Sequence, residues 1–254
     1  MLQVTELQKS FGGVKAVDRC SLMVEKGSIT GLIGPNGAGK TSVFNLISGF
    51  CKPDGGEIRF DGARIDGLPA HRISKRAISR TFQNPHELKE MTVLENLMFV
   101  PGMQLGERLW NLWFRPRAVI KQERSIREMA IGVLEFVELV DLKDELAKNL
   151  SAGQKKLLEL ARTLMSDPKM ILLDEPGAGV NPSLMKKLTK NIQDLRKRGK
   201  TFFIIEHDMD LIMNLCDIII VMDKGKDLVT GRPETIQKDQ RVLDAYLGGS
   251  HEHP

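Results

Sequence analysis

The sequence predicts an α/β fold organised around one glycine-rich loop, and three observations carry that expectation. The apolar run Ile29–Ile33 leads directly into Gly34 to Ser42, GPNGAGKTS, and then into Val43–Ile47, so that a strand, a loop and a helix follow in succession. Met170–Leu173 and Thr201–Ile205 are short unbroken apolar runs that each end near acids, as expected of strands buried on both faces. Between these, Glu123 to Val140 carries Ile126, Met129, Ala130, Val133, Leu134, Val137 and Val140 at three- and four-residue spacing, the pattern of an amphipathic helix.

The glycine-rich loop fits a glycine, four free positions and then Gly39-Lys40-Thr41. Gly34, Gly37 and Gly39 let the backbone bend and approach an anion, so that successive N–H groups and a helix N-terminus converge on phosphate. Pro35, Asn36 and Ala38 fill the same cradle. Lys40 can reach β- and γ-phosphates, the Thr41 hydroxyl can ligate Mg²⁺ held between those oxygens, and Ser42 can donate to them as well. A turn that merely joins strand to helix would not require all these positions together. The stretch is therefore read as a nucleoside triphosphate site.

At 254 residues, 41% hydrophobic and 28% charged, the chain can bury a full core without staples. Cys20, Cys51 and Cys216 are widely spaced, with no disulfide framework or zinc spacing, and suit a reducing cytoplasm. No run approaches the ~18 apolar residues of a membrane span, and the N-terminus does not read as a secretion signal. A net charge of +4 is compatible with nucleic acid or an anionic membrane, and equally with a solvated surface.

Ahead of the loop, Leu2 to Lys26 alternates around glycine turns and predicts antiparallel strands. Phe11 there can stack on a purine or pack in the core. Lys52 to Gly67, rich in Gly and Asp, reads as a hairpin. Arg72 to Arg80 is a basic patch leading to Gln83, which precedes Asn84-Pro85 and so falls in a loop; its amide can ligate Mg²⁺ and orient water, or simply face solvent. Trp110, Trp113 and Phe114, beside the amphipathic stripe, could meet a membrane partner, but packing within a helical lobe is the expectation. Ser151 and Gly153 start a helix, either as a second anion-binding N-terminus or as an ordinary cap. Asp174 at the end of its strand fits the acid of a Mg²⁺ shell, and Glu175 can polarise the attacking water. His207, near the carboxyl end of another strand, can bond a γ-phosphate or be an ordinary polar terminus. Ile218 to Met222 and Leu228 to Thr230 close the fold as strands, followed by a tail helix.

In their order along the chain, Phe11, GPNGAGKTS, Gln83, LSAGQ at 150–154, MILLDE at 170–175 and His207 resemble an ABC-type ATPase over nearly the whole chain. Within that family EPGAGVNP, IEHDMDLIM and the ending AYLG are similar to the ATP-binding subunits of branched-chain amino acid importers. The resemblance implies a single P-loop nucleotide-binding domain of two lobes. Residues 1–83 and 167–254 would form an ATP-binding core of mixed sheet with an antiparallel side sheet, and 84–166 a helical lobe. Two such domains, identical or different, would face each other head to tail, with ATP between Lys40's loop and Ser151, Gly153 and Gln154 of the other. By the same resemblance Phe11 stacks on adenine, Thr41 and Gln83 touch Mg²⁺, Asp174 holds it through water, Glu175 is the base and His207 senses the γ-phosphate. The implied partners are a membrane permease and, indirectly, a solute-binding protein, with the chain peripheral on the cytoplasmic face and no nucleic acid.

Ala152 stands where the family more often has glycine, and Asn181 where many members have aspartate. With Ser151, Gly153, Glu175 and His207 present, hydrolysis is still expected. The competing readings are a soluble ABC ATPase remodelling nucleic acid or ribosomes, supported only by the basic patch, and a nucleotide-gated module without turnover, which Glu175 argues against.

Overall fold

Period-two burial at the N-terminus makes a hairpin: β1 (Leu2–Phe11) and β2 (Val14–Val24) pair antiparallel, with Leu2, Val4, Leu7, Val17, Cys20, Leu22 and Val24 inward. In the computed structural model, residues 1–81, 87–102, 104–107 and 109–248 are described. Five fully buried residues form β3 (Ile29–Ile33), and α1 (Lys40–Ile47) follows the glycine-rich loop. The expected hairpin is β4 (Gly55–Phe60) with β5 (Ala63–Arg64). The basic stretch becomes α2 (Ala70–Ser74) and β6 (Ile78–Arg80).

The helical region opens with α3 (Val93–Met98), started by a reciprocal cap in which Thr92 Oγ1 accepts from the Glu95 N–H at 3.2 Å and Glu95 Oε2 from the Thr92 N–H at 2.8 Å. The fully buried Asn96 holds the preceding turn, accepting from the Leu88 N–H and donating to the Leu88 and Thr92 carbonyls. Next come α4 (Leu109–Phe114) and α5 (Pro116–Phe136), with proline at the first turn of α5, where no N–H is needed. Helix α5 starts earlier than its apolar period suggests and stops before Val140, because Glu138 turns left-handed at φ 58°. Its buried stripe is Val119, Ile126, Ala130 and Leu134; Met129 falls to one side of it and is exposed. The packing expectation for the aromatics is overturned. Trp110, Trp113 and Phe114 are 75%, 84% and 73% exposed, and α4 is tied instead through Asn111, whose amide donates to the Leu105 carbonyl at 2.9 Å. Helix α6 (Ala152–Leu164) completes this region.

The chain continues through β7 (Met170–Asp174), α7 (Pro182–Lys197), β8 (Thr201–Ile205), α8 (Met209–Leu215), β9 (Ile218–Asp223), β10 (Lys226–Gly231), α9 (Pro233–Ile236) and α10 (Gln240–Gly248). Strands β2-β1-β4-β5 form an antiparallel sheet; β10-β9-β3-β8-β7-β6 form a second, parallel except for β10. One core joins Leu7 and Ile58 of the first sheet to Leu32, Leu172 and Phe203 of the second through Val43, Phe44 and Ile47 of α1. The Phe44 and Phe203 rings lie 5.0 Å apart.

Two compact units divide the chain: 1–83, 168–178 and 192–254 in one, 84–167 and 179–191 in the other. The stretch 179–191, assigned with the core lobe from sequence, groups with the helical unit. No described helix is long and apolar enough to cross a membrane. All three cysteines are free. Burial pushes the Cys20 and Cys216 thiols up to about 12, with nearby Asp227 and Asp217 acting in the same direction, and burial also raises Cys51. These two thiols are therefore almost wholly protonated at pH 8. Treatment of the native protein with a thiol-reactive dye at that pH is expected to label Cys51 alone, with the other two reacting only after denaturation.

Candidate functional site

The loop lies at the carboxyl end of β3, a central strand of the six-stranded sheet, where open α/β sheets bind ligands. Gly39 precedes α1 at φ 99°, and a Cβ there would stand 2.3 Å from the Ala16 carbonyl oxygen, so no other residue fits. Lys40 is 5% exposed; its Nζ donates to the Gly34 carbonyl at 2.7 Å and the Pro35 carbonyl at 2.9 Å. Lost solvation lowers the Lys40 pKa, while the Glu175 and Asp174 carboxylates pull it back up. Asn36 to Ser42 line an open cleft of about 500 Å³ together with Lys15, Ala16, Lys224, Glu175 and His207. On the tail helix, burial raises the Tyr246 phenol while the Gly34 backbone acts in the opposite direction.

Two strand ends are tied together beside this cleft. Glu175 leaves β7 at φ 48° and its N–H donates to the Ile205 carbonyl at 2.9 Å. Glu206, 4% exposed, accepts from the Gly177 N–H and from the His207 N–H at 3.0 Å, and so fixes the turns that follow β7 and β8. His207 Nε2 then lies 2.8 Å from Glu175 Oε1. An ionised carboxylate only accepts, so this contact places a hydrogen on Nε2.

Asp174 is 5% exposed and held by the last residue of the basic patch. Arg80 at the end of β6 donates to Asp174 Oδ2 at 2.8 Å, to Asn45 Oδ1 at 2.7 Å and to Ser48 Oγ at 3.0 Å. Its guanidinium also lies over the Phe44 ring, with the carbon 5.6 Å from the ring centre. Arg80 is thus an internal cation joining β6, β7 and α1, and the basic patch is correspondingly smaller. Its neighbours in sequence, two hydrophobic or hydroxyl residues on either side, would have been the signal that it sits in a strand.

The other expected residues divide. Phe11 is 49% exposed with Lys9 Nζ 5.4 Å from its ring centre, so the core reading fails, but its ring is not part of the cleft lining. Gln83 lies outside the described residues. Ser151, Gly153 and Gln154 belong to the helical unit. There Ser151 and Gln154 cap α6 reciprocally, at 3.3 Å and 2.9 Å. A Cβ on Gly153 would stand 2.0 Å from Leu184 Cδ2 within the same unit, so the leucine side chain would have to shift to admit one. Asn181 caps α7, its Oδ1 accepting from the Leu184 N–H at 2.9 Å.

The donors suit a hard divalent cation, being the exposed Thr41 hydroxyl and the Asp174 carboxylate, all oxygen. With Oδ2 taken by Arg80, a water-mediated contact from Asp174 fits better than direct ligation. Among the described residues no cluster of three or more His, Cys, Asp or Glu offers an alternative metal site. Replacing Arg80 by Met strands a carboxylate that is buried with it, and is expected to cost about 3–5 kcal/mol. Urea unfolding would show a lower midpoint at unchanged slope, with Arg80→Lys intermediate; full stability of Arg80→Met would remove this role.

The ABC transporter family model matches residues 17–178, and that of the branched-chain amino acid ATP-binding cassette transporter matches residues 228–252. The chain is 44% identical over 252 residues to an Archaeoglobus fulgidus protein named "Probable branched-chain amino acid transport ATP-binding protein LivG", covering 98% of this chain and 95% of that one. It is 42% identical over 249 residues to the high-affinity branched-chain amino acid transport ATP-binding protein BraF of Pseudomonas aeruginosa, covering 98% of each. Its structure is similar to the crystal structure of a nucleotide-free ATP-binding cassette from an ABC transporter, with a TM-score of 0.84 and 40% identity over 97% of this chain and 98% of that one. With a match spanning the loop and both acids, and relatives alike over nearly the full length, this chain belongs to the ABC transporter family.

Proposed function

We propose that the chain hydrolyses ATP to energise import of branched-chain amino acids through a membrane permease, as a peripheral subunit on the cytoplasmic face. The observation that carries the ATPase part is the convergence on one cleft of the loop N–H groups, Lys40, Thr41, Glu175 and His207. The cargo reading rests on the second family match at residues 228–252 and on the names of the relatives.

In this reading Gly34 to Ser42 cradle the phosphates, and Phe11, half-exposed, is free to lie on adenine. Thr41, Asp174 and Gln83 would hold Mg²⁺, which when bound neutralises charge on the phosphate oxygens. Glu175 takes the proton of the attacking water, and His207, already beside it, keeps its carboxylate oriented and meets the γ-phosphate. Ser151, Gly153 and Gln154 would complete the site of a second subunit, identical or different, with N–H groups at the start of α6. A solute-binding protein would deliver cargo to the permease. The nucleic-acid alternative loses part of its support, because Arg80 is internal rather than on the surface.

Glu175→Gln is expected to bind ATP while hydrolysis falls by about 10²–10⁴-fold, the usual worth of a general base. Its light-scattering mass should double when ATP is added, if the chain pairs with itself. Retention of most activity would remove Glu175 from the reaction, whereas an ATP-bound monomer would point to a different partner subunit. Chelation of divalent cations should abolish turnover, with recovery on adding Mg²⁺; turnover that persists in chelator would overturn the metal assignment.

A further inference from the structure

The aromatics of α4 lie outside everything the nucleotide site uses. Trp110, Trp113 and Phe114 stand at i, i+3 and i+4, so they share one face of the helix. All three are at least 73% exposed, and Trp110 stacks on Phe114 with ring centres 5.7 Å apart. Packing them together in this way keeps three large rings presented to solvent as one surface. Single exposed apolar residues need no explanation, but a cluster of two indoles and a phenyl on one helical turn does.

The flanking charge says what covers it. From 108 to 127 the sequence has six cations, Arg108, Arg115, Arg117, Lys121, Arg124 and Arg127, against one acid, Glu123. On α5, Arg117, Ile120, Lys121 and Arg124 recur at three- and four-residue spacing and all are exposed. Arg124 is shared with Glu128 at 3.1 Å; no ion pair is formed by Arg115, Arg117 or Lys121 among those found in the described residues. Indole rings flanked by arginine and lysine match the boundary of a bilayer, where the rings sit at headgroup depth and the cations meet lipid phosphates. A protein partner burying the same face would have to neutralise this cationic rim as well.

We propose that α4 and the start of α5 form an anionic-membrane contact, with Trp110, Trp113 and Phe114 entering the headgroup layer and Arg115, Arg117 and Lys121 pairing with lipid phosphates. The contact shares no residue with the nucleotide cleft and does not depend on which solute is carried.

The chain has two tryptophans, and both lie on this face, so intrinsic indole emission reads it directly. The full-length protein would be titrated with permease-free vesicles of pure phosphatidylcholine and of equimolar phosphatidylcholine and phosphatidylglycerol. A blue shift with the anionic vesicles, quenched by brominated acyl chains and weakened by salt, is the expected result. In co-sedimentation, Arg115→Gln/Arg117→Gln should bind these vesicles about thirtyfold more weakly. Trp113→Ser should also reduce binding, with ATP hydrolysis in solution unchanged for both variants. An absent shift, or sedimentation indifferent to all these substitutions, overturns the proposal. So does a shift that needs the permease, since the face would then be covered by protein rather than lipid.

Discussion

Helix α1 must be buried on two sides while its first turn stays open, and the core unit is arranged around that requirement. Val43, Phe44 and Ile47 pack between an antiparallel sheet and a mostly parallel one, so neither sheet has a complete core without the helix. The open turn is bought by glycine at 39, where a side chain would strike the Ala16 carbonyl. A helix fixed so firmly presents its N–H groups without rearrangement, which is what stabilising charge on a phosphate demands.

The electrostatics around that turn balance within the unit. Lys40 loses solvation and leans on two carbonyls of its own loop, with two carboxylates near enough to favour its charge. Asp174 has a dedicated cation in Arg80, whereas Glu175 faces the cleft beside His207. Two adjacent acids at one strand end therefore occupy different environments. One is locked into the frame and the other is presented to the solvent-filled cleft, a division that matches the separate work proposed for them.

The strands, the hairpin at 55–64 and the glycine-rich loop were legible because each rests on local pattern: alternation, an unbroken apolar run, or glycines at fixed offsets. The acids and His207 were legible because they fall at strand ends. What escaped were residues whose role is set by contacts distant in sequence. Arg80 read as one cation in a basic patch, since nothing local says that Asn45 and Asp174 close around it. Glu206 carries no local signal of its role, since one of its N–H donors, Gly177, comes from the turn after a different strand. The aromatics of α4 misled in the other direction, because large apolar side chains are usually inside, and only their exposure in the folded chain shows that these are not. Gly153 was singled out for approach to a phosphate, and its close contact with the Leu184 side chain is one that no motif reveals.

The Arg80–Asp174 pair has a genetic consequence. A change at Asp174 removes the counter-charge of a guanidinium that is itself buried, so the altered chain would be short of stability as well as function and open to degradation. Such an allele would behave as recessive, the transporter simply being depleted of that subunit. Glu175 lies at the cleft beside His207, and a change there is expected to leave a folded chain that can still occupy its place in the assembly. That allele would be dominant, poisoning complexes shared with normal subunits, so two neighbouring acids on one strand end would give opposite inheritance.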